Sequence, residues 1–254
     1  MSLRTIQTMR YVTPLREGGS LPAIIEGDDD GLYVLKFRGA GQGAKALIAE
    51  LVAGEIARAL GFRVPEIVFV QLDAEIARTE PDPEIQDLIK GSDGLNLALD
   101  YLPGSIMYDP LIEPPSGELA SRIVWFDAFT ANVDRTPRNA NMLWWHGNIW
   151  LIDHGAALFY QHDPDRFREN SHNPFRQIKD HILLPFADEL ERADEELSRM
   201  LSADLLREIV SLIPDPWFEG GEEQRDSYAE FLINRLEGGR EFVREGADAQ
   251  RLQV

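Results

Sequence analysis

Three oxygen-bearing side chains, Asp134, Asn139 and Asp153, are candidates for one reaction. Two short apolar runs, Asn141–Trp145 and Asn148–Ile152, flank His146-Gly147. Apolar runs separated by two residues, one of them glycine, predict a β-hairpin. That hairpin would bring Asn139 and Asp153 to one end of a two-stranded ribbon, with Asp134 in the loop just before it. Phosphoryl transfer from ATP needs oxygen ligands for Mg2+, which neutralises phosphate charge. It also needs a carboxylate to take or orient the proton of the attacking hydroxyl.

Protein kinases meet both needs with an Asp, an Asn five residues on, and an Asp in a short motif ending in Gly. Asp134 and Asn139 have that spacing, and Asp153-His154-Gly155 stands where Asp-Phe-Gly would. An Asp-x4-Asn spacing alone has little force, because Asp and Asn also cap loops in unrelated α+β proteins. Joined to a hairpin that ends in Asp-x-Gly, it is more specific.

The preceding chain supplies elements to position these groups. Leu21–Glu26 and Leu32–Phe37 read as strands joined by a turn at Gly27–Gly31. Gly18, Gly19 and Ser20 precede them, and small residues there can let backbone N–H groups approach a phosphate, or form an ordinary turn. Lys36 is out of pattern in an apolar strand: it either faces solvent or reaches into a cleft to hold ATP phosphates. A helix follows from about Lys45 to Leu60, closed by Gly61, with Leu47, Leu51, Gly54 and Arg58 on one face. Glu50 borders that face and Glu55 competes with it as a partner for Lys36; the bland alternative leaves both solvated.

Glu66–Leu72 and Leu95–Leu102 are further strands, with a short helix near Glu84–Lys90 between them. Pro103-Gly104-Ser105 opens a loop that makes the best hinge between two lobes, 1–102 and 103–254. Asp100, Tyr101 and Leu102 are the positions for backbone contacts to adenine. Beyond the hinge the pattern turns helical: Glu118–Ala131, then, after an irregular stretch, about Pro185–Met200, Ala203–Leu212 and Gly221–Leu236. Ser202 can cap the second of these last three helices, Trp217 and Phe218 read as core anchors, and the chain from about Gly246 reads as frayed.

The 254 residues suffice for one large domain or two lobes around a cleft. A net charge of −19 argues against non-specific binding to nucleic acid or to an anionic membrane. No apolar run is long enough to span a bilayer, and the N-terminus lacks the apolar core of a signal peptide. Without cysteine there is neither a disulfide nor cysteine-ligated zinc, which fits a reducing cytoplasm. The oligomeric state is open.

Strands and one helix, then a hinge, then mostly helices, is the order of a two-lobed α+β kinase-like fold. In detail the chain resembles the HipA-like kinases, which share a fold with the phosphatidylinositol kinases. The resemblance rests on Asp134-Arg135-Thr136-Pro137-Arg138-Asn139, similar to an Asp-Arg-His-x-x-Asn loop, and on Glu50 followed by Leu60-Gly61-Phe62-Arg63-Val64-Pro65. It covers roughly residues 14 to 235, with Thr136 in place of the His. It implies Asp134 as catalytic base and Asn139 and Asp153 as Mg2+ ligands. Lys36 would contact phosphate with Glu50 supporting it, and Gly18, Gly19 and Ser20 would form the phosphate loop. HipA-like kinases are known for self-phosphorylation of a serine in or near that loop, and Ser20 is its hydroxyl here. The expected activity is ATP- and Mg2+-dependent transfer to serine or threonine of a protein. The alternatives are transfer to a small molecule, or a nucleotide-binding pseudokinase that acts as an interaction module.

Overall fold

The computed structural model describes residues 2–15 and 21–253. The first ones build a five-stranded closed barrel of strands β1 (Thr5–Pro14), β2 (Ala23–Gly27), β3 (Leu32–Lys36), β4 (Ile67–Leu72) and β5 (Gly94–Asp100), in the order β1-β2-β3-β5-β4. Four of its contacts are antiparallel. The fifth, β1 against β4, is parallel and closes the barrel, so the expected antiparallel sheet holds for all but one pair. Sequence reading passed over β1 because its apolar residues are interrupted by polar ones: only Ile6 of its ten residues is buried.

The two-residue period of a strand decides which side chains fill the barrel. Ile25, Tyr33, Leu35, Val68, Val70 and Ala98 point inward, and Ile85 and Ile89 of helix α2 (Pro83–Gly91) pack against them. Lys36 follows Leu35 and falls on the outer face, together with Ile67, Leu97 and Leu99 of the neighbouring strands.

That outer face packs on helix α1 (Ala44–Ala59). The sequence predicts a helix with one apolar face. Instead every residue from Leu47 to Ala57 is buried, including Glu50 and Glu55, because α1 lies between the barrel and the C-terminal helices. Gly54 permits this approach, since a Cβ there would stand 2.5 Å from Ile67 Cδ1. Gly61, with φ +81°, ends the helix as predicted: its N–H donates to Arg58 O and that of Phe62 to Ala57 O.

The second part begins with a two-residue strand β6 (Ile106–Met107) and helix α3 (Gly117–Thr130), which Ser116 caps through the Leu119 N–H. Strands β7 (Met142–Trp145) and β8 (Asn148–Leu151) form the predicted hairpin, and β6 pairs with β7. Residues 159–186 run through a series of single 3₁₀ turns. Then come α4 (Leu190–Met200), α5 (Ala203–Ser211), α6 (Gly221–Glu237) and α7 (Glu241–Arg251). Ser202 caps α5 through the Leu205 N–H, and Trp217 is buried edge-on against Phe69 of the barrel. Of the tail read as frayed, the residues up to Arg251 belong instead to α7, which is pinned by Phe242, Ala247 and Ala249, with Phe242 against Trp125 and Phe129 of α3. Its apolar residues are mostly alanine and glycine, which carry little periodic signal. Among the described residues no helix is long and apolar enough to cross a membrane.

Candidate active site

The hairpin turns at His146 and Gly147, both at positive φ (48° and 73°), the geometry of a tight two-residue turn that glycine favours. At the open end of the ribbon the chain bends again. Asn141 and Asp153 both hold left-handed backbone, with φ 48° and 54°, and Ile152 N donates to Asn141 O. This double bend directs Asp153 away from the sheet, and its side chain remains 40% exposed. A reciprocal pair of backbone hydrogen bonds between Thr136 and Asn139 closes the loop that carries Asp134.

The predicted groups meet here. Asn139 Nδ2 donates to Asp134 Oδ2 at 2.7 Å, and Asn141 Nδ2 donates to the same oxygen at 3.1 Å. Among the described residues no hydrogen bond reaches Asp134 Oδ1, which leaves it for a substrate hydroxyl. The amide nitrogen of Asn139 is occupied, so its Oδ1 is the atom free for a cation. Asn141 also reaches the Asp153 carbonyl at 3.5 Å and so links both halves of the site.

Lys36 enters from the barrel. Its ammonium lies 2.6 Å from Asp153 Oδ1 and 3.7 Å from Glu50 Oε2. Burial works against the charged lysine, but the Glu50 and Asp153 carboxylates outweigh it and its pKa ends above the usual value. Burial likewise works against the Glu50 carboxylate, yet Lys36 and then His154 hold its pKa well below the usual range. Glu55 plays no part in this cluster: it pairs with Arg58 at 2.9 Å.

A second buried cluster fixes the loop from behind. Asp127 on α3 accepts from Arg135 Nε at 2.5 Å, from Asn132 Nδ2 at 2.9 Å and from His181 Nε2 at 2.9 Å. Leu183 N donates to His181 Nδ1, so the proton of that ring sits on Nε2. Arg135 also donates to Asn141 O, and Asn132 Oδ1 accepts from Asp134 N at 3.1 Å. Burial opposes the Asp127 charge, but Arg135 and His181 more than offset it and keep its pKa far below normal. Burial lowers the pKa of His181, which is neutral near pH 7.

The sequence reading missed Asp127, Asn141, His181 and His154 as members of the site. Two signals were available: Asp127 breaks the apolar run Val124-Trp125-Phe126 before Ala128-Phe129, and Asn141 stands two residues past Asn139. Nothing local marks His181.

The positions expected to contact adenine lie at the end of β5 and just past it. The Asp100 N–H donates to Glu66 O and the Tyr101 N–H to Leu32 O, so the barrel uses both donors. Leu102 O accepts from Ser105 N and Oγ, and of the three only the Leu102 N–H has no partner among the described residues. Gly18, Gly19 and Ser20 lie outside the described residues, between Leu15 and Pro22, whose backbones are hydrogen-bonded. A cavity of about 320 Å³ between Lys45, Gln161 and Tyr228 touches none of Lys36, Asp134, Asn139 or Asp153. Chemistry rather than void volume marks the site, where Lys36 and Asp153 are in direct contact.

The fold is that of kinases. The structure of the Helicobacter pylori proinflammatory kinase CtkA is similar with a TM-score of 0.61 at 14% identity, over 98% of this chain and 99% of that one. The Golgi casein kinase is similar with a TM-score of 0.51 at 12% identity, over 96% of this chain and 74% of that one. Its Mn/ADP-bound structure gives 0.51 at 11%, over 100% and 75%. A comparison with curated proteins gives no match. The family model of the HipA-like kinases matches residues 9–239. The chain belongs to the HipA-like kinase family, and with it to the ATP-dependent phosphotransferases.

Proposed function

We propose that the chain transfers the terminal phosphate of Mg2+-bound ATP to serine or threonine of a protein, in the cytoplasm. Residues 1–102 form the nucleotide-covering lobe and residues 103–254 the catalytic lobe. The observation that carries this reading is the convergence of Asp134, Asn139, Asp153, Lys36 and Glu50 from the hairpin, its preceding loop, the barrel and α1.

In this reading Asp134 Oδ1 takes the proton of the attacking hydroxyl while Asn139 and Asn141 hold Oδ2. Lys36 contacts phosphate, and Glu50 keeps its ammonium in place. Asn139 Oδ1 and the Asp153 carboxylate would hold the cation. Both are hard oxygen donors, and two protein ligands suit Mg2+, which keeps phosphate oxygens and water as its other ligands. Bound there, the cation would neutralise phosphate charge. A free, hydrogen-bonded Asp134 argues for an enzyme over a binding-only pseudokinase. A protein acceptor is supported by the Golgi casein kinase, a similar structure named for a protein substrate.

The test is phosphate transfer from labelled ATP to the chain itself and to a panel of proteins and small molecules, with Mg2+ or with EDTA. Asp153→Ala is expected to lose metal-dependent nucleotide binding. Asp134→Ala is expected to keep binding and to lose about 10²-fold or more in turnover, the range for removing a general base. Full turnover by Asp134→Ala would refute the assignment, and labelling of small molecules alone would move the acceptor class.

A further inference from the structure

His154 occupies the middle of Asp153-His154-Gly155 and is fully buried. Its ring meets Phe126 edge-on at 5.8 Å between centroids. Its Nδ1 lies 3.3 Å from Glu50 Oε1. An ionised carboxylate only accepts, so Nδ1 carries the proton and donates. Nε2 is buried and has no hydrogen-bond partner among the described residues. A buried polar nitrogen left unpaired is costly, and a hydrocarbon side chain would fill this space without it. What distinguishes histidine here is the Nδ1 contact.

We propose that His154 is a positioning residue for ATP binding: it holds Glu50 so that Oε2 faces Lys36, and thereby sets the Lys36 ammonium against the nucleotide phosphates. This rests on the assignment of Lys36 and Glu50 given above. The geometry is a closed circuit. Asp153 is peptide-bonded to His154, His154 donates to Glu50 Oε1, Glu50 Oε2 faces Lys36, and Lys36 returns to Asp153 Oδ1. Glu50 Oε2 makes no hydrogen bond among the described residues, and its lysine contact is long at 3.7 Å. With the His154 ring removed, only that long contact and the backbone N–H of residue 154 would be left to orient the carboxylate. The circuit also ties the register of α1 to the Asp-x-Gly segment. Gly54, one turn beyond Glu50, brings the helix so close that a Cβ there would lie 3.9 Å from His154 Nδ1. When a nucleotide draws Lys36 off Asp153, Glu50 stays fixed because its other oxygen is held by His154.

The experiment compares wild type with His154→Leu, which keeps bulk but cannot donate, and His154→Asn, whose side-chain amide can donate from near the Nδ1 position. Calorimetric binding of a non-hydrolysable ATP analogue with Mg2+ is measured alongside KM and kcat for ATP turnover, each protein well below its own melting temperature. The leucine variant is expected to weaken analogue binding and raise KM for ATP about tenfold, with kcat changed less than about threefold. That pattern marks loss of contacts made equally in ground and transition states. The asparagine variant should bind within about threefold of wild type even if its melting temperature is lowered. If the leucine variant does not fold, His154→Ala is read against His154→Asn in the same way. Equal affinity in all proteins would overturn the proposal. So would an asparagine variant as impaired as its partner, which would mean the ring only packs. No binding of the analogue by wild type would overturn the underlying assignment of the site, and this inference with it.

Discussion

Asp127→Ala should destabilise the protein more than any exposed substitution, because it strands Arg135. Both side chains are completely buried, and the carboxylate accepts from Arg135, His181 and Asn132 at once. Removing one partner of a buried ion pair typically costs about 3–5 kcal/mol, since the other charge is left without compensation. For a chain of this size each kcal/mol lowers the melting temperature by roughly 2–4 °C, which gives a drop of roughly 6–20 °C. Replacing both partners, as in Asp127→Leu with Arg135→Met, should return much of that loss, because an apolar pair carries no stranded charge. Catalysis should not return with it, since Arg135 also holds Asn141 O and Asn132 holds Asp134 N. Differential scanning calorimetry and urea titration of the two variants, with ATP turnover, make the test. A melting temperature within about 2 °C of wild type for Asp127→Ala would refute the reasoning, as would a double variant no more stable than the single one.

Acid should act on the same clusters in two stages. Burial puts the folded-state pKa of His181 below its ordinary 6.5, so its contribution is complete above about pH 6.5 and declines as pH falls below it. Glu50 and Asp127 have folded-state pKa values below their ordinary 4.5 and 3.8, so their stabilisation is complete above those values and is lost at lower pH. All three shifts have the same sign, and urea midpoints measured from pH 8 to pH 3 should fall in two steps. His181→Gln should flatten the upper step, and a midpoint that rises on acidification would contradict both.

The hairpin was legible because its turn and its apolar runs are local. The spacing from Asp134 to Asn139 and the Asp-x-Gly at the ribbon's end picked out residues that the fold brings together. The terminus of α1 was legible for the same reason, through Gly61. Legibility failed where packing from a distance decides. Every face of α1 is covered, so its sequence does not announce which carboxylate turns inward, and Glu50 differs from Glu55 only by what lies opposite: Lys36 and His154 in one case, Arg58 in the other. The parallel closure of the barrel by β1 is invisible for the same reason, as a strand with one buried residue in ten gives no period. His181 is linked to Asp127 across 54 residues of mostly irregular chain, a connection only the folded molecule makes. The end of β5 was opaque because a strand end looks alike whether its amides are free or, as for Asp100 and Tyr101, bonded across the barrel.

The contact of Lys36 with Asp153 implies a competition that can be measured. Asp153 Oδ1 has the ammonium at 2.6 Å, and the same carboxylate is proposed to hold a divalent cation. Lysine and metal carry like charge, so without a nucleotide each weakens the other's hold on this oxygen. The anionic phosphates of ATP resolve the conflict by attracting both. Unit charges about 4 Å apart interact by about 1–4 kcal/mol between bulk water and a protein surface, which corresponds to about fivefold or more in affinity. Lys36→Met should therefore tighten the binding of Mn2+ alone, read by electron paramagnetic resonance, by about fivefold or more. The same substitution should weaken the binding of the ATP analogue with Mg2+. Glu50 keeps its His154 partner in that variant, so the fold should survive, and a melting curve checks it. If Lys36→Met left Mn2+ affinity unchanged or lowered it, lysine and cation would not share Asp153, and the cation would have to be placed elsewhere.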